Sequence, residues 1–85
     1  MININSVNIP LRIVKKEDGF QIFNTKTFDT ILLDELSMEI LKKIKNKDIT
    51  TDEELKLYAE NNNIETEDCM GLIEFLSKNE YITIE

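Results

Sequence analysis

Few side chains in this sequence are suited to catalysis, because it contains one cysteine and no histidine. Three acidic residues stand within the four positions before Cys69, and their charges raise the pKa of a thiol and disfavour the reactive thiolate. We therefore interpret Cys69 as a small apolar core residue. A lone cysteine has no internal disulfide partner, and without histidine the usual zinc sites and the usual general base are missing.

The acidic clusters and the glycines of the sequence do not form recognisable ligand sites. Residues 48–54 and 65–68 are acidic but lack the alternating oxygen ligands and central glycine of a calcium loop. The two glycines, Gly19 and Gly71, stand too far apart for a phosphate-binding loop. We expect no metal, no cofactor and no catalytic site, so the chain is interpreted as non-enzymatic.

Length and charge restrict the partners of the chain. Its 85 residues predict one domain, residues 1–85. The net charge of −7 repels phosphate backbones, which argues against nucleic acid. No apolar run approaches the roughly 20 residues of a membrane span, and residues 1–10 lack the features of a signal peptide. We expect a cytoplasmic protein.

The first part of the sequence predicts a three-stranded antiparallel sheet. Residues 9–14 alternate in polarity and predict a first strand, with Pro10 near its start. Asp18-Gly19 favours a tight turn before a second strand at residues 20–23. The polar residues 24–27 separate this strand from a third at residues 28–33, which is rich in β-branched and aromatic residues.

The second part predicts three helices. The spacing changes at Asp34, a good N-cap for a helix that ends near residue 45. Thr51 and Glu54 form a capping-box pattern for a second helix, which ends in the asparagine run 61–63. Thr66 is the candidate cap of a third helix, which ends near residue 78 before an extended segment at 81–84. The fold class is α+β, of winged helix-turn-helix type.

Apolar residues are in excess around the third strand and the third helix. Leu32 and Leu33 are adjacent, so their side chains must point to opposite faces of the sheet. On the third helix, Cys69, Ile73 and Leu76 form a central apolar stripe, and Leu72 and Phe75 widen it sideways. Two interpretations remain open at this point: a helix buried on two sides of a small core, or a groove between strand and helix that accepts an added peptide strand.

The order and spacing of several short motifs resemble the PqqD family and the related RiPP recognition elements, over about residues 9–84. In that family a hairpin leads into a Leu-Asn-Glu-like corner and a helix with an Ile-Leu pair. Matching stretches are residues 19–27, Leu33-Asp34-Glu35, Ile40-Leu41, Thr51 to Leu55, Asp68-Cys69 with Ile73 and Leu76, and the closing residues 76–82. The chain departs from the family in three places: Asp34 replaces the usual Asn, a glycine is lacking before Phe28, and Asn79-Glu80 stands where a glycine is common.

The resemblance implies a non-catalytic domain that binds the leader of a ribosomally made precursor peptide as an added strand. The domain would present that leader to a separate modifying enzyme, such as a radical SAM protein, a cyclase or a leader peptidase. The peptide-binding residues that it implies are Phe28, Asp29, Thr30, Ile31, Leu32, Leu33, Asp68, Gly71, Leu72 and Phe75.

Two other functions remain as alternatives. A winged-helix regulator would bind DNA, but residues 66–75 of the third helix contain no Arg or Lys to contact phosphates. A structural protein–protein interaction subunit would instead bury the same groove against a permanent partner.

Overall fold

The computed structural model describes residues 2–7 and 11–85. Its strands are β1 (Ile4–Ser6), β2 (Leu11–Lys16), β3 (Gly19–Asn24), β4 (Thr30–Leu33) and β5 (Ile82–Ile84), and its helices are α1 (Glu35–Lys45), α2 (Asp52–Asn61) and α3 (Thr66–Lys78). The chain divides into two compact units. We call Asn8–Lys42 the sheet unit, and Met1–Val7 with Lys43–Glu85 the helical unit.

The sheet unit contains the expected three-stranded antiparallel sheet, in the order β2-β3-β4. The turn between β2 and β3 consists of Glu17 and Asp18, while Gly19 is already the first residue of β3. A Cβ on Gly19 would collide with the carbonyl oxygen of Leu33, so glycine is what allows β3 and β4 to approach here. Two residues of the predicted first strand, Ile9 and Pro10, lie outside the described residues.

The third strand begins at Thr30, so the prediction that it starts at Phe28 was wrong. The side chain of Asn24 accepts hydrogen bonds from the main-chain N–H groups of Lys26 (2.8 Å) and Thr27 (3.3 Å). The N–H of Phe28 in turn donates to the carbonyl of Asn24 at 2.8 Å. These bonds hold residues 24–28 in a loop, which overrides the strand preference of phenylalanine and threonine.

The sheet has one buried and one exposed face. Ile22, Ile31 and Leu33 are buried, whereas Leu32 is 55% exposed. This difference confirms that Leu32 and Leu33 point to opposite faces. Helix α1 follows directly, and its predicted cap is confirmed because the N–H of Ser37 donates to Asp34 Oδ1 at 2.7 Å.

Helix α2 of the helical unit begins with the predicted capping box. The N–H of Glu54 donates to Thr51 Oγ1 at 3.2 Å. The Glu54 carboxylate reaches one residue further back than the usual pattern and accepts from the N–H of Thr50 (3.1 Å) and from its hydroxyl (2.6 Å). The helix ends at Asn61, within the predicted asparagine run.

Helix α3 ends at Lys78 as predicted, but Thr66 is its first helical residue and Glu65 is its N-cap. No side-chain bond caps this end, so the preference of threonine for capping positions is not used. The predicted central stripe is confirmed, since Cys69, Ile73 and Leu76 are all buried.

Strand β1 was not predicted from the sequence. It pairs antiparallel with β5, so that Ile4 lies opposite Ile84. Asn3 and Glu85 exchange two main-chain hydrogen bonds of 2.9 Å. Within residues 2–7 and 11–85, no helix has both the length and the apolar character needed to cross a bilayer.

Candidate functional site

The hydrogen-bonding register between β3 and β4 follows from one bond at the start of their ladder. The N–H of Asn24 donates to the carbonyl of Asp29 at 2.9 Å, which makes these two residues a bonded pair. Bonded and non-bonded pairs alternate along an antiparallel ladder, so the main-chain groups of Ile31 and Leu33 also face β3. The position of the Leu33 carbonyl oxygen beside Gly19 agrees with this register.

The main-chain N–H and C=O groups of Thr30 and Leu32 therefore point away from β3, along the outer edge of β4. Among the residues that the structure describes, no strand pairs with this edge. Both side chains are exposed as well. The edge thus offers hydrogen-bond donors and acceptors in the spacing that an added strand requires.

An open depression of about 520 Å³ extends from β4 across Gln21 of β3 to the turn between β2 and β3. It is lined by Lys16, Glu17, Asp18, Gln21, Thr30, Ile31 and Leu32. Its charged side chains are two carboxylates and one ammonium group, and its apolar lining includes the exposed Leu32. A peptide that paired with β4 would find room there for a side chain.

Phe28 is an exposed aromatic residue with an unusual backbone conformation. Its φ is 63° and its side chain is 77% exposed. A left-handed conformation costs a non-glycine residue about 1–2 kcal/mol, and for a bulky residue it is rare. The Phe28 ring lies 6.3 Å from the ring of Phe23, tilted by 51°. This conformation was not predicted from the sequence. The one related observation was that the corner before Phe28 lacks the glycine of the family that the chain resembles.

The opposite edge of the sheet, on β2, is basic. The main-chain groups of Phe20 and Ile22 face β4, so those of Gln21, which lies between them, face β2. Gln21 pairs with Val14, so the main-chain groups of Val14 face β3. Because inward-facing and outward-facing residues alternate along a strand, the main-chain groups of Leu11, Ile13 and Lys15 point outward. The exposed cations of this strand are Arg12, Lys15 and Lys16.

The α3 part of the predicted site lies in the helical unit. Asp68, Leu72 and Phe75 follow each other at the four- and three-residue spacing that places side chains on one face of a helix. Leu72 is half-buried and Phe75 is 41% exposed. Gly71 is exposed, and a Cβ at this position would meet no atom within 4 Å.

Cys69 does not contribute a reactive thiol to this face. The side chain is buried, and this burial raises its pKa, with a smaller contribution from the charge of Asp68. In the described part of the chain no group of three His, Cys, Asp or Glu residues is arranged to hold a metal ion.

The chain was compared with protein-family models, with curated proteins and with solved structures. None of the protein-family models, the curated proteins or the solved structures matches the chain. The function proposed below therefore depends on the sequence resemblance and on the geometry of the described residues.

Proposed function

We propose that this chain is a non-catalytic docking domain that binds the leader of a ribosomally made precursor peptide by strand addition to β4. The observation that carries the proposal is the outward direction of the main-chain groups of Thr30 and Leu32 on an edge with no neighbouring strand in the described residues. Main-chain hydrogen bonds supply affinity in this mode of recognition, and pockets beside the strand select alternate side chains.

Two left-handed residues support the resemblance on which the leader peptide is inferred. Phe28 has a φ of 63° and Glu80 has a φ of 64°. The chain lacks the family's glycine in the corner before Phe28 and at Asn79-Glu80. A position that needs a positive φ is where glycine is expected. The left-handed Glu80 therefore supports the resemblance, and the left-handed Phe28 directly follows the other corner.

The proposal includes the finer architecture and the partners. The three-stranded sheet followed by three helices is assigned to the winged helix-turn-helix type, with Asp68, Gly71, Leu72 and Phe75 of α3 as further peptide contacts. The domain supplies proximity, and a separate tailoring enzyme makes the bonds. Examples of such an enzyme are a radical SAM protein, a cyclase and a leader peptidase.

The test is titration of the isotopically labelled chain with the leader half of a precursor encoded beside its gene, followed by NMR. Binding at tens of micromolar or tighter is expected, with the amide signals of Thr30 and Leu32 among the most shifted. Leu32→Lys places a charge on the docking edge and should weaken binding about ten-fold, which corresponds to about 1.4 kcal/mol. The stability of this variant should change little because the side chain is exposed.

The matched control is Val14→Lys on β2. Val14 is 50% exposed and Leu32 is 55% exposed, so the two substitutions add the same charge to similarly open positions of the same sheet. Binding should stay within two-fold of the wild-type value in the control. Absence of leader binding, or equal loss in both variants, would contradict the proposal.

Contacts of the leader with α3 are tested by two further variants. Phe75→Ala and Leu72→Asp should each weaken binding at least five-fold, and the melting temperature of each shows whether the helical unit still folds. If neither substitution changes the affinity of a folded variant, the α3 residues are removed from the proposed site and β4 alone remains.

One observation favours DNA binding as a second candidate function. Arg12, Lys15 and Lys16 are all exposed on β2, where the wing of a winged-helix protein contacts the backbone of DNA. The net charge of −7 opposes such binding. A gel shift with random duplex DNA at low salt decides the matter, since no complex is expected and a complex that is lost in Lys15→Glu would favour the regulator.

A further inference from the structure

Charged side chains are absent from β4 itself but stand at both of its ends. The strand consists of Thr30, Ile31, Leu32 and Leu33. Asp29 precedes it, and Asp34 and Glu35 follow it, and all three are exposed. A strand that pairs with β4 therefore meets an uncharged centre with net negative charge at either end. The depression at the Asp34-Glu35 end also contains Lys15 and Lys16, but Glu17 and Asp18 line it as well, so carboxylates outnumber ammonium groups there.

This charge distribution disfavours a second copy of the chain on the same edge. If two β4 strands paired antiparallel with Leu32 opposite its own symmetry mate, Thr30 of one copy would lie opposite Asp34 of the other, and Asp29 of one copy would come close to the acidic Asp34-Glu35 corner of the other. Like charges brought together in this way are destabilising. A segment with Lys or Arg on both sides of its apolar residues finds opposite charge at both ends instead, and its association is accelerated by the same field.

Phe28 adds an apolar contact beyond the Asp29 end of β4. Its ring is 77% exposed, and the loop holds it there in a left-handed conformation that glycine or asparagine would adopt more easily. Phe23 supports the ring from the sheet at 6.3 Å. A strained and exposed residue of this kind is explained by a function in binding better than by a function in folding.

We propose that the segment received by β4 is an extended peptide whose apolar residues are flanked on both sides by Lys or Arg, and that Phe28 determines specificity by packing on one of those apolar side chains. The inference rests on the proposed function in taking β4 as the docking strand. It adds the chemical class of the bound segment, and it changes the role of Phe28 from a residue of the docking strand to a specificity-determining residue in the loop before that strand.

The experiment uses two capped synthetic peptides and the full chain. The basic probe is acetyl-KKVSFSVKK-amide, and the acidic probe, acetyl-EEVSFSVEE-amide, has the same apolar residues. The basic probe should shift the amide signals of Thr30 and Leu32 and bind at least ten-fold more tightly than the acidic probe at low salt. Phe28→Gly and Asp29→Lys should each weaken binding of the basic probe at least five-fold.

Phe28→Asn provides a second variant that keeps a residue suited to the left-handed conformation and removes the ring. Both Phe28 variants should melt at or above the wild-type temperature, so that weaker binding is not caused by unfolding. Equal affinity for the two probes, unchanged affinity in Phe28→Asn, or a dimer of the chain in sedimentation that dissociates in Leu32→Lys would each overturn the inference.

Binding of the natural leader peptide to the wild type and to Phe28→Asn distinguishes a failure of this inference from a failure of the proposed function. If the leader binds and is indifferent to Phe28→Asn, the inference fails and the docking function stands. If no leader binds while the basic probe binds in the expected manner, the leader-binding function fails and the assignment of the bound segment's chemistry stands.

Discussion

Strands β2 and β4 lie on opposite sides of β3, and each has an outer edge with no strand beside it in the described part of the chain. Three of the six residues of β2 are cationic and exposed, at Arg12, Lys15 and Lys16. Strand β4 has no charged residue. The two edges therefore expose the same kind of main-chain groups but differ in the side chains that accompany them.

This difference in side chains makes the β2 edge less suited than the β4 edge to pairing with another strand. Lysine on an edge strand opposes the approach of another strand, and natural sheets use it against edge-to-edge association. Strand β4 lacks this protection and is only four residues long. The short length limits nonspecific pairing, while its uncharged residues leave the edge available to a matching peptide.

The largest effect is expected from the residue that fixes the distance between β3 and β4. Gly19→Ala places a Cβ against the Leu33 carbonyl oxygen, which belongs to the backbone and has little room to move. We expect the free energy of unfolding to fall by about 2–3 kcal/mol, measured by urea denaturation, and peptide binding at the β4 edge to weaken with it.

Gly71→Ala is the matched control, because its Cβ would meet open space on α3. Alanine favours a helix over glycine by about 0.5–1 kcal/mol, so this variant should be more stable than the wild type. Changes of opposite sign in the free energy of unfolding, with the larger change in Gly19→Ala, would support the close approach of β3 and β4. A loss of peptide binding in Gly71→Ala alone would place Gly71 in the binding face.

A smaller effect, on binding only, is expected when an outward N–H is removed from one edge at a time. Leu32→Pro deletes the N–H that points along the outer edge of β4 and should weaken leader binding at least ten-fold, or about 1.4 kcal/mol. Ile13→Pro deletes an outward N–H from β2 and should leave binding within two-fold. Proline is tolerated at such edge positions, and circular dichroism confirms that both variants fold. If Ile13→Pro has the larger effect on binding, the docking edge is β2.

The smallest effect is expected on the stability of the chain at low pH, through the Asp34 cap that follows β4. The hydrogen bond from the Ser37 main chain lowers the pKa of Asp34 below its ordinary value. The contribution of this carboxylate to stability is therefore present above about pH 4 and is lost as the pH falls through the lowered folded-state pKa. Asp34→Asn keeps a capping side chain and should change stability at pH 7 by less than about 0.5 kcal/mol.

The measurement for Asp34→Asn is the free energy of unfolding between pH 7 and pH 3. Stability of the wild type should decrease more steeply in acid than that of the variant. Other carboxylates with lowered pKa values, Asp52 and Glu54, remain in both proteins, so both should still lose stability. Parallel curves would show that the Asp34 cap is unimportant at this corner.

The helices could be predicted from sequence because their signals are local. Asp34, Thr51 and Glu54 act through neighbours within three or four residues, and such spacings are visible in the sequence. Strand β1 was missed although residues 2–5 alternate between isoleucine and asparagine. This alternation covers only four residues, and the partner Ile84 that completes the pairing stands at the other end of the sequence.

The candidate site was predictable in part for the same reason. Adjacent Leu32 and Leu33 indicated an exposed apolar residue on the third strand, and the structure confirms one. The start of that strand was wrong because side-chain bonds from Asn24 close the loop, and strand propensity does not include such bonds. Which main-chain groups face outward depends on the pairing register, and sequence alone leaves that register open.

The pairing of β1 with β5 has a practical consequence for engineering. Because Asn3 and Glu85 are joined by main-chain hydrogen bonds, the two ends of the described chain leave the helical unit side by side. A short linker could connect them, with new ends opened at the exposed Glu17-Asp18 turn. For the same reason the segment could be inserted as a cassette into a surface loop of a host protein, where entry and exit points must also be close together.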